Sequence, residues 1–391
     1  MFDHLDALTW SFLAGRERVY AISVYAEPTP TAQGVIYTPR VAAESGMEGV
    51  ACVDDVARAS LLATYAYERG GDAAAATLAR RWLRFTHYMQ LDDGRVTNFI
   101  VDRRGQRNLT GATSYPGGAW WTARALWAWA AAYRVFGSRP ALDALLCCPI
   151  PAPETPGELK TRAVLALAGL ELLRSPAPDL VRDRWRRYVR YWCDAMVYAA
   201  QERPFVPDHP SQETVQLWGY HQLHALAEAA VMLGDETYLR TAEQTVRGLA
   251  APVLAGNFYY AYPGERAHQC AYCVTPLVQG LTALFRATGQ QRYRTLAMKA
   301  LEWFEGANDA GIVMYDPTTG RCLDGLCADD LAGAAASRNC GAESAIEAGF
   351  AELERREMAA TKGRVAEVAD VFPLPGGVAS ETVTGEVQAR A

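Results

Sequence analysis

The acids best placed to do chemistry stand in one stretch, Gly46-Met47-Glu48-Gly49-Val50-Ala51-Cys52-Val53-Asp54-Asp55-Val56-Ala57-Arg58-Ala59. It reads as a glycine-bracketed loop carrying Glu48, followed by the first turn of a helix that is apolar on nearly every side. Asp54 and Asp55 are adjacent at the junction, and Arg58 follows one turn later as their counter-charge. Neighbouring carboxyls in an apolar mouth are pushed toward holding a proton, which is what a general acid needs. Two such acids can work on either side of a glycosidic bond. Glu343 and Asp208 are the acids expected to oppose Asp54 or Asp55. Simpler roles compete. Asp54 suits a helix N-cap, Asp55 suits the positive end of a helix dipole, and Glu158 completes a capping box in Thr155-Pro156-Gly157-Glu158.

Around these acids the chain places residues suited to a sugar. Flat rings offer apolar faces to C–H groups and leave a polar edge free. The expected binding residues are Glu48, Arg58, Asn98, Tyr115, Trp120, Trp121, His209, Trp218, His221, Tyr272 and Asn339. Glu213, Tyr259, Tyr260, Tyr262 and His268 lie in the same kind of loop. Trp127 and Trp129, deep in a helical pattern, read as core, and the spacing of His221 and His224 also suits buried, hydrogen-bonded rings.

Helical patterns position these residues. Helices starting near residues 54, 119, 156, 211, 276 and 341 are rich in Ala, Leu and Gly, whereas those near 4, 72, 139, 179, 236 and 290 carry charge on one face. A helix apolar all round is buried, and an amphipathic one faces solvent. Six of each in strict alternation predict an all-α (α/α)6 barrel of six helical hairpins, with short strands in the loops that lead into the inner helices. Those loops gather at one end of the barrel. Residues 1–357 form this domain in the sequence reading, and 358–391, with Pro-Leu-Pro-Gly-Gly and no sustained period, read as a disordered tail.

Composition narrows the partners. Of 391 residues half are hydrophobic, and the net charge is −6. The densest basic run, Arg182 to Arg190, alternates with Trp185, Tyr188 and Val189 as one face of a helix, so no nucleic-acid surface is expected. The start, Met1-Phe2-Asp3-His4-Leu5-Asp6, is acidic where a signal peptide is basic. No apolar run reaches the roughly 18 residues of a membrane span. Nine scattered cysteines suggest reduced thiols and a cytoplasmic protein. Cys270-x-x-Cys273 reads as packed thiols, since zinc wants a second pair and Cys322 with Cys327 is poorly spaced. No metal or cofactor is expected.

The chain resembles the six-hairpin glycosidase-like superfamily. Cys52-Val53-Asp54-Asp55-Val56-Ala57-Arg58-Ala59 is similar to a Val-Asp-Asp-x-Ala-Arg-Ala signature in helical toroid domains of uncharacterised bacterial proteins, some fused to glycosyltransferases. Thr122-Ala123-Arg124-Ala125-Leu126-Trp127-Ala128 and Asn339-Cys340-Gly341-Ala342-Glu343-Ser344 also fit, and the resemblance spans roughly residues 20–355. Domains of this type often carry an acid just before the position of Arg124, where this chain has Trp120-Trp121-Thr122. Related toroids include hydrolases, lyases, phosphorylases and sugar epimerases. The expectation is a carbohydrate-active enzyme, a glycoside hydrolase acting on a glycan or glycoconjugate. Three alternatives stand beside it: a sugar isomerase or epimerase using His209, His221 or His268, a glycan-binding protein without catalysis, and a terpene-cyclase-like enzyme. The last lacks both Asp-x-Asp-Asp and Asp-Asp-x-x-Asp, because Cys52 and Arg58 occupy the deciding positions.

Overall fold

The structure is a computed structural model that describes residues 1–32, 34–40, 48–150, 158–209, 215–256, 269–326 and 336–371, with side chains as far as 360. The chain opens with α1 (Asp3–Leu8) and two antiparallel hairpins. The first joins β1 (Thr9–Ala14) to β2 (Glu17–Ile22), and the second joins β3 (Ala26–Thr31) to β4 (Gly34–Pro39). Next come β5 (Ala51–Cys52), α2 (Val53–Gly70), α3 (Ala73–Tyr88), β6 (Phe99–Ile100), α4 (Ala119–Phe136) and α5 (Arg139–Cys147). They are followed by α6 (Leu159–Leu173), α7 (Asp179–Ala200), α8 (Gln222–Leu233) and α9 (Glu236–Thr245), which continues through a π-helical turn, Val246–Ala250, into Ala251–Gly256. The last elements are α10 (Ala271–Thr288), α11 (Gln291–Leu301), a small hairpin of β7 (Tyr315–Asp316) and β8 (Arg321–Cys322), and α12 (Ala342–Val371).

The even-numbered helices form a closed inner ring. Each packs on the next, and α12 returns to α2. Helices α3, α5, α7, α9 and α11 lie outside their partners. The chemistry of the sequence explains the division: α2 is buried at every position from Val53 to Ala66, whereas α7 buries Trp185, Val189, Trp192 and Met196 and turns its arginines outward. Helices α2, α4, α8 and α10 each stop at a glycine in the left-handed region (Gly71, Gly137, Gly234 and Gly289), a conformation that costs a residue without Cβ least.

At these C-terminal ends a ring of ion pairs joins the inner helices. Arg134 of α4 bridges Glu68 of α2 and Glu171 of α6. Arg174 of α6 reaches Glu228 of α8, and Arg286 of α10 takes both Glu228 and Glu354. Arg69 of α2 closes the circle on Glu354 at 3.0 Å and Glu357 at 3.1 Å. These groups line a polar cavity of 330 Å³ together with His224 and Gln279.

Several elements differ from the sequence reading. The helix expected to start near residue 4 ends already at Leu8, and strand β1 follows at once, joined to β2 by a two-residue turn with Gly15 at φ +63°. The sixth outer position therefore holds a turn and a half of helix, beside a 1130 Å³ groove lined by Met1, Phe2, Arg81 and Leu353. α8 starts at Gln222, well after Ser211, because residues 215–221 run as irregular backbone into the site. α10 starts at Ala271 and carries Pro276 inside it, in its second turn, where the ring forfeits the i→i−4 hydrogen bond to the Tyr272 carbonyl. α12 runs past Arg356 to Val371; the rest of the expected tail, 372–391, lies outside the described residues.

Candidate functional site

The N-terminal end of α2 is held by its neighbours. β5 pairs with β6, Val53 N–H donates to the Asn98 carbonyl at 2.9 Å, and Asp54 N–H donates to Asn98 Oδ1 at 3.2 Å. The loop passes so close to β6 that a Cβ at Gly49 would run into the Ile100 carbonyl and the Phe99 side chain. The cap is Cys52, whose Sγ accepts from Asp55 N–H at 3.5 Å. Asp54 and Asp55 are thus the second and third helical residues. The N-cap role expected for Asp54 belongs to Cys52, and both carboxyls are left for other partners.

Those partners meet on Arg58. Its Nη2 lies 2.8 Å from Asp55 Oδ1 and 3.1 Å from Glu343 Oε1, its Nη1 lies 2.7 Å from Glu347 Oε1, and its Nε is 3.3 Å from Asp54 Oδ1. Because Asp55 and Glu343 share one nitrogen, their oxygens are no farther apart than the sum of its two contacts. Burial, with Glu343 and Asp54 nearby, pushes the Asp55 carboxyl up to about 7 against the pull of Arg58. Burial likewise raises Glu347 to about 7, opposed by Arg58 and Arg124. Burial and the Asp54 charge raise Glu343, while Arg58 opposes them. Side-chain exposure separates the four acids: 35% for Glu343, 12% for Asp54, 5% for Asp55 and 2% for Glu347.

An aromatic and cationic wall stands behind Asp54. Trp120 Nε1 donates to Asp54 Oδ2 at 3.1 Å, and Arg124 Nε lies 3.2 Å from Oδ1. The Arg124 guanidinium sits 4.7 Å from the Trp120 ring centre, Trp218 stacks on Trp120 at 5.7 Å, and Tyr272 meets Trp218 edge-on at 4.9 Å. Arg58 lies over the Tyr272 ring at 4.3 Å. The Lys160 ammonium approaches both indoles, at 5.7 and 5.4 Å, and donates to Gln216 Oε1 at 3.1 Å. Burial lowers Arg124 to about 10 against the pull of Asp54. Arg124 Nη1 also faces His221 Nε2 at 3.3 Å; the cation donates, so the neutral ring carries its proton on Nδ1. Burial and Arg124 hold His221 well below its ordinary range.

The structure is an (α/α)6 toroid. No family profile matches the chain, and no curated protein matches it by sequence. Its shape is similar to cellobiose 2-epimerase from Spirochaeta thermophila, with 14% identity, a TM-score of 0.60 and coverage of 86% of this chain and 90% of that one. It is also similar to a D-mannose isomerase (11% identity, TM-score 0.55, coverage 78% and 87%). A third similar structure is a family 76 α-mannanase from Bacteroides thetaiotaomicron (12% identity, TM-score 0.53, coverage 82% and 89%). At these identities the likeness shows the fold, and these neighbours are enzymes acting on carbohydrates.

The toroid gathers Asp54, Asp55, Arg58, Glu343, Trp120, Trp218, His221 and Tyr272, with Asn98 holding the helix start. Other expected site residues have different surroundings. Glu48 Oε2 accepts from the Thr113 N–H and hydroxyl, each at 2.9 Å, and so pins a loop. Trp121 is buried and donates to the Val96 carbonyl at 2.9 Å, while Tyr115 packs its exposed ring edge-on against it. Asp208 gives one carboxyl oxygen to Gln216 N–H and the other to Gln222 Nε2, and burial raises it to about 6. That carboxyl ties the segment before α8 together, and His209 beside it is half-buried. Asn339 lies ahead of α12, and its carbonyl accepts from Asp324 N–H at 2.9 Å. Glu158 immediately precedes α6 without a side-chain capping bond. Glu213, Tyr259, Tyr260, Tyr262 and His268 lie outside the described residues.

Glu347, Lys160 and Arg124 join the site without having been singled out as site residues. Glu347 follows Glu343 by four residues on a helix that is otherwise apolar in its first turns, so both acids share one face. An i,i+4 pair of acids on an inner helix was the available signal.

Proposed function

We propose that the chain is a carbohydrate-active enzyme, a glycoside hydrolase, in which Glu343 donates the proton and Asp54 is the opposing acid. One observation carries the assignment. Glu343 has a raised carboxyl, shares Arg58 with Asp55, and is the acid of this cluster with the most exposed side chain. A proton held there can pass to the leaving oxygen of a glycoside that enters from the open side. Asp54 is held in place by Arg58, Arg124 and Trp120, which contact both of its carboxyl oxygens. The half-buried ring edges of Trp120 and Trp218 supply apolar surface for sugar C–H groups.

The test is a panel of oligosaccharides and aryl glycosides, assayed with the intact chain and with Glu343→Gln and Asp54→Asn. Cleavage that each substitution lowers at least about 100-fold, in protein that stays folded, supports the roles. Full activity in a folded Asp54→Asn protein sinks them. An epimerase reading needs a histidine base. The Arg124 contact occupies His221 Nε2 and leaves its proton on Nδ1, which disfavours that role. Mass-neutral conversion of a free sugar would reverse this preference.

A further inference from the structure

Cys270 and Cys273 frame the start of α10. Cys270 is the N-cap, and Cys273 is the third helical residue. Their sulfurs lie 3.4 Å apart, and Cys273 N–H donates to the Cys270 carbonyl at 2.9 Å, which fixes the turn that brings them together. Cys270 is partly exposed and Cys273 is fully buried. A disulfide needs its sulfurs at about 2.05 Å and its Cα atoms about 5.5 Å apart, the spacing of residues three apart at a helix start. Closing this pair therefore needs a sulfur shift of little more than 1 Å and no movement of helices. Zinc fits less well: among the described residues no cluster of three or more His, Cys, Asp or Glu could hold a metal ion.

We propose that Cys270 and Cys273 are a modification site, a dithiol that a small-molecule disulfide converts to an intramolecular disulfide. Cys270, the accessible member, attacks one sulfur of RSSR as its thiolate and forms a mixed disulfide, and the released thiolate takes up a proton as RSH. Cys273 then loses its proton and attacks Cys270 Sγ, displacing the second RS⁻, which is protonated in turn. The protein gives up two protons and two electrons and gains one S–S bond, while RSSR is reduced to two RSH. The mutual hydrogen bond and burial hold the Cys270 thiol protonated well above its ordinary range, so the first step is slow and the second, between touching sulfurs, is fast. The bracketed residue gives the change its address. Tyr272 lies between the two cysteines with its ring under Arg58, so the closed turn adjoins the acid cluster.

The experiment uses the full chain with the exposed Cys147 replaced by Ser, incubated with oxidised glutathione, alkylated and peptide-mapped by mass spectrometry. The expected product is a peptide holding residues 270 and 273 that is lighter by two hydrogens, carries no glutathionyl group and resists alkylation. In Cys273→Ser the same treatment leaves the glutathionyl adduct on Cys270. Free alkylation of both cysteines after oxidation, or a glutathionyl adduct that persists on Cys270 when Cys273 is present, overturns the proposal. One zinc retained per reduced chain and protecting both thiols also overturns it. If Cys273→Ser does not fold, peptide mapping of the chain with both thiols decides by itself.

Discussion

Arg58 Nη1 and Glu347 Oε1 meet at 2.7 Å with both side chains 2% exposed, tying the sixth residue of α2 to the sixth residue of α12. This contact closes the inner ring on the side where the acids gather. It also sets the plane of the guanidinium, so that Nη2 faces Asp55 and Glu343.

Removing the shared cation should cost the fold heavily. Arg58→Met leaves several acids in a buried setting without their counter-charge, a loss of about 3–5 kcal/mol in urea unfolding. Arg58→Lys should recover only part of this, since a point charge cannot serve four carboxyls in a plane. A loss below about 1 kcal/mol in Arg58→Met would mean that the acids are neutral without it.

The two ends of the barrel should respond to pH in opposite senses. Asp55 and Glu347, both raised to about 7, bind a proton more tightly in the folded chain than in the unfolded one. Their contribution to stability is fully present below about pH 4 and declines as pH rises through 7. Glu228 and Glu354 are buried, which raises them, but Arg174, Arg69 and Arg286 prevail and hold them below their ordinary value. Their contribution is present above about pH 4.5 and is lost on acidification. Glu347→Gln should therefore melt progressively higher relative to the parent chain as pH goes from 4.5 to 8. A difference that shrinks or reverses over that range would contradict the shift.

Trp120→Phe keeps a ring between Arg124 and Trp218 but deletes the donor to Asp54 Oδ2. On the substrate found by the panel, kcat should fall about 10-fold, the worth of one hydrogen bond to a charged group. KM should change little. A large rise in KM at constant kcat would assign Trp120 to binding alone.

Breaking the ring of ion pairs should weaken the barrel without touching the acids. Arg134→Met strands Glu171, whose side chain is 5% exposed and whose other partners are Tyr65 and Arg174. The expected cost is about 3 kcal/mol in urea unfolding. The pH profile of turnover should stay in place, because the ring lies at the opposite ends of the inner helices. A displaced profile would show that the two ends are coupled.

The alternation of apolar and one-sided helices was legible because burial on all sides and burial on one side leave different patterns along a chain. It also placed Asp54 and Asp55 at a helix mouth, and Arg58 beside them as their counter-charge, a pairing the structure bears out. The helix starts expected near residues 211 and 276 fall at Gln222 and Ala271. The segment 215–221, which runs as irregular backbone, and the Cys270 cap are set instead by contacts made in three dimensions. Helical spacing alone put Glu343 and Glu347 on one face. Only the closure of α12 onto α2, across nearly the whole chain, brought them to Arg58, while Asp208 was satisfied by Gln216 and Gln222. Local pattern records which side of a helix is buried. Which acids share one cation depends on ring closure, and that is a property of the packed toroid.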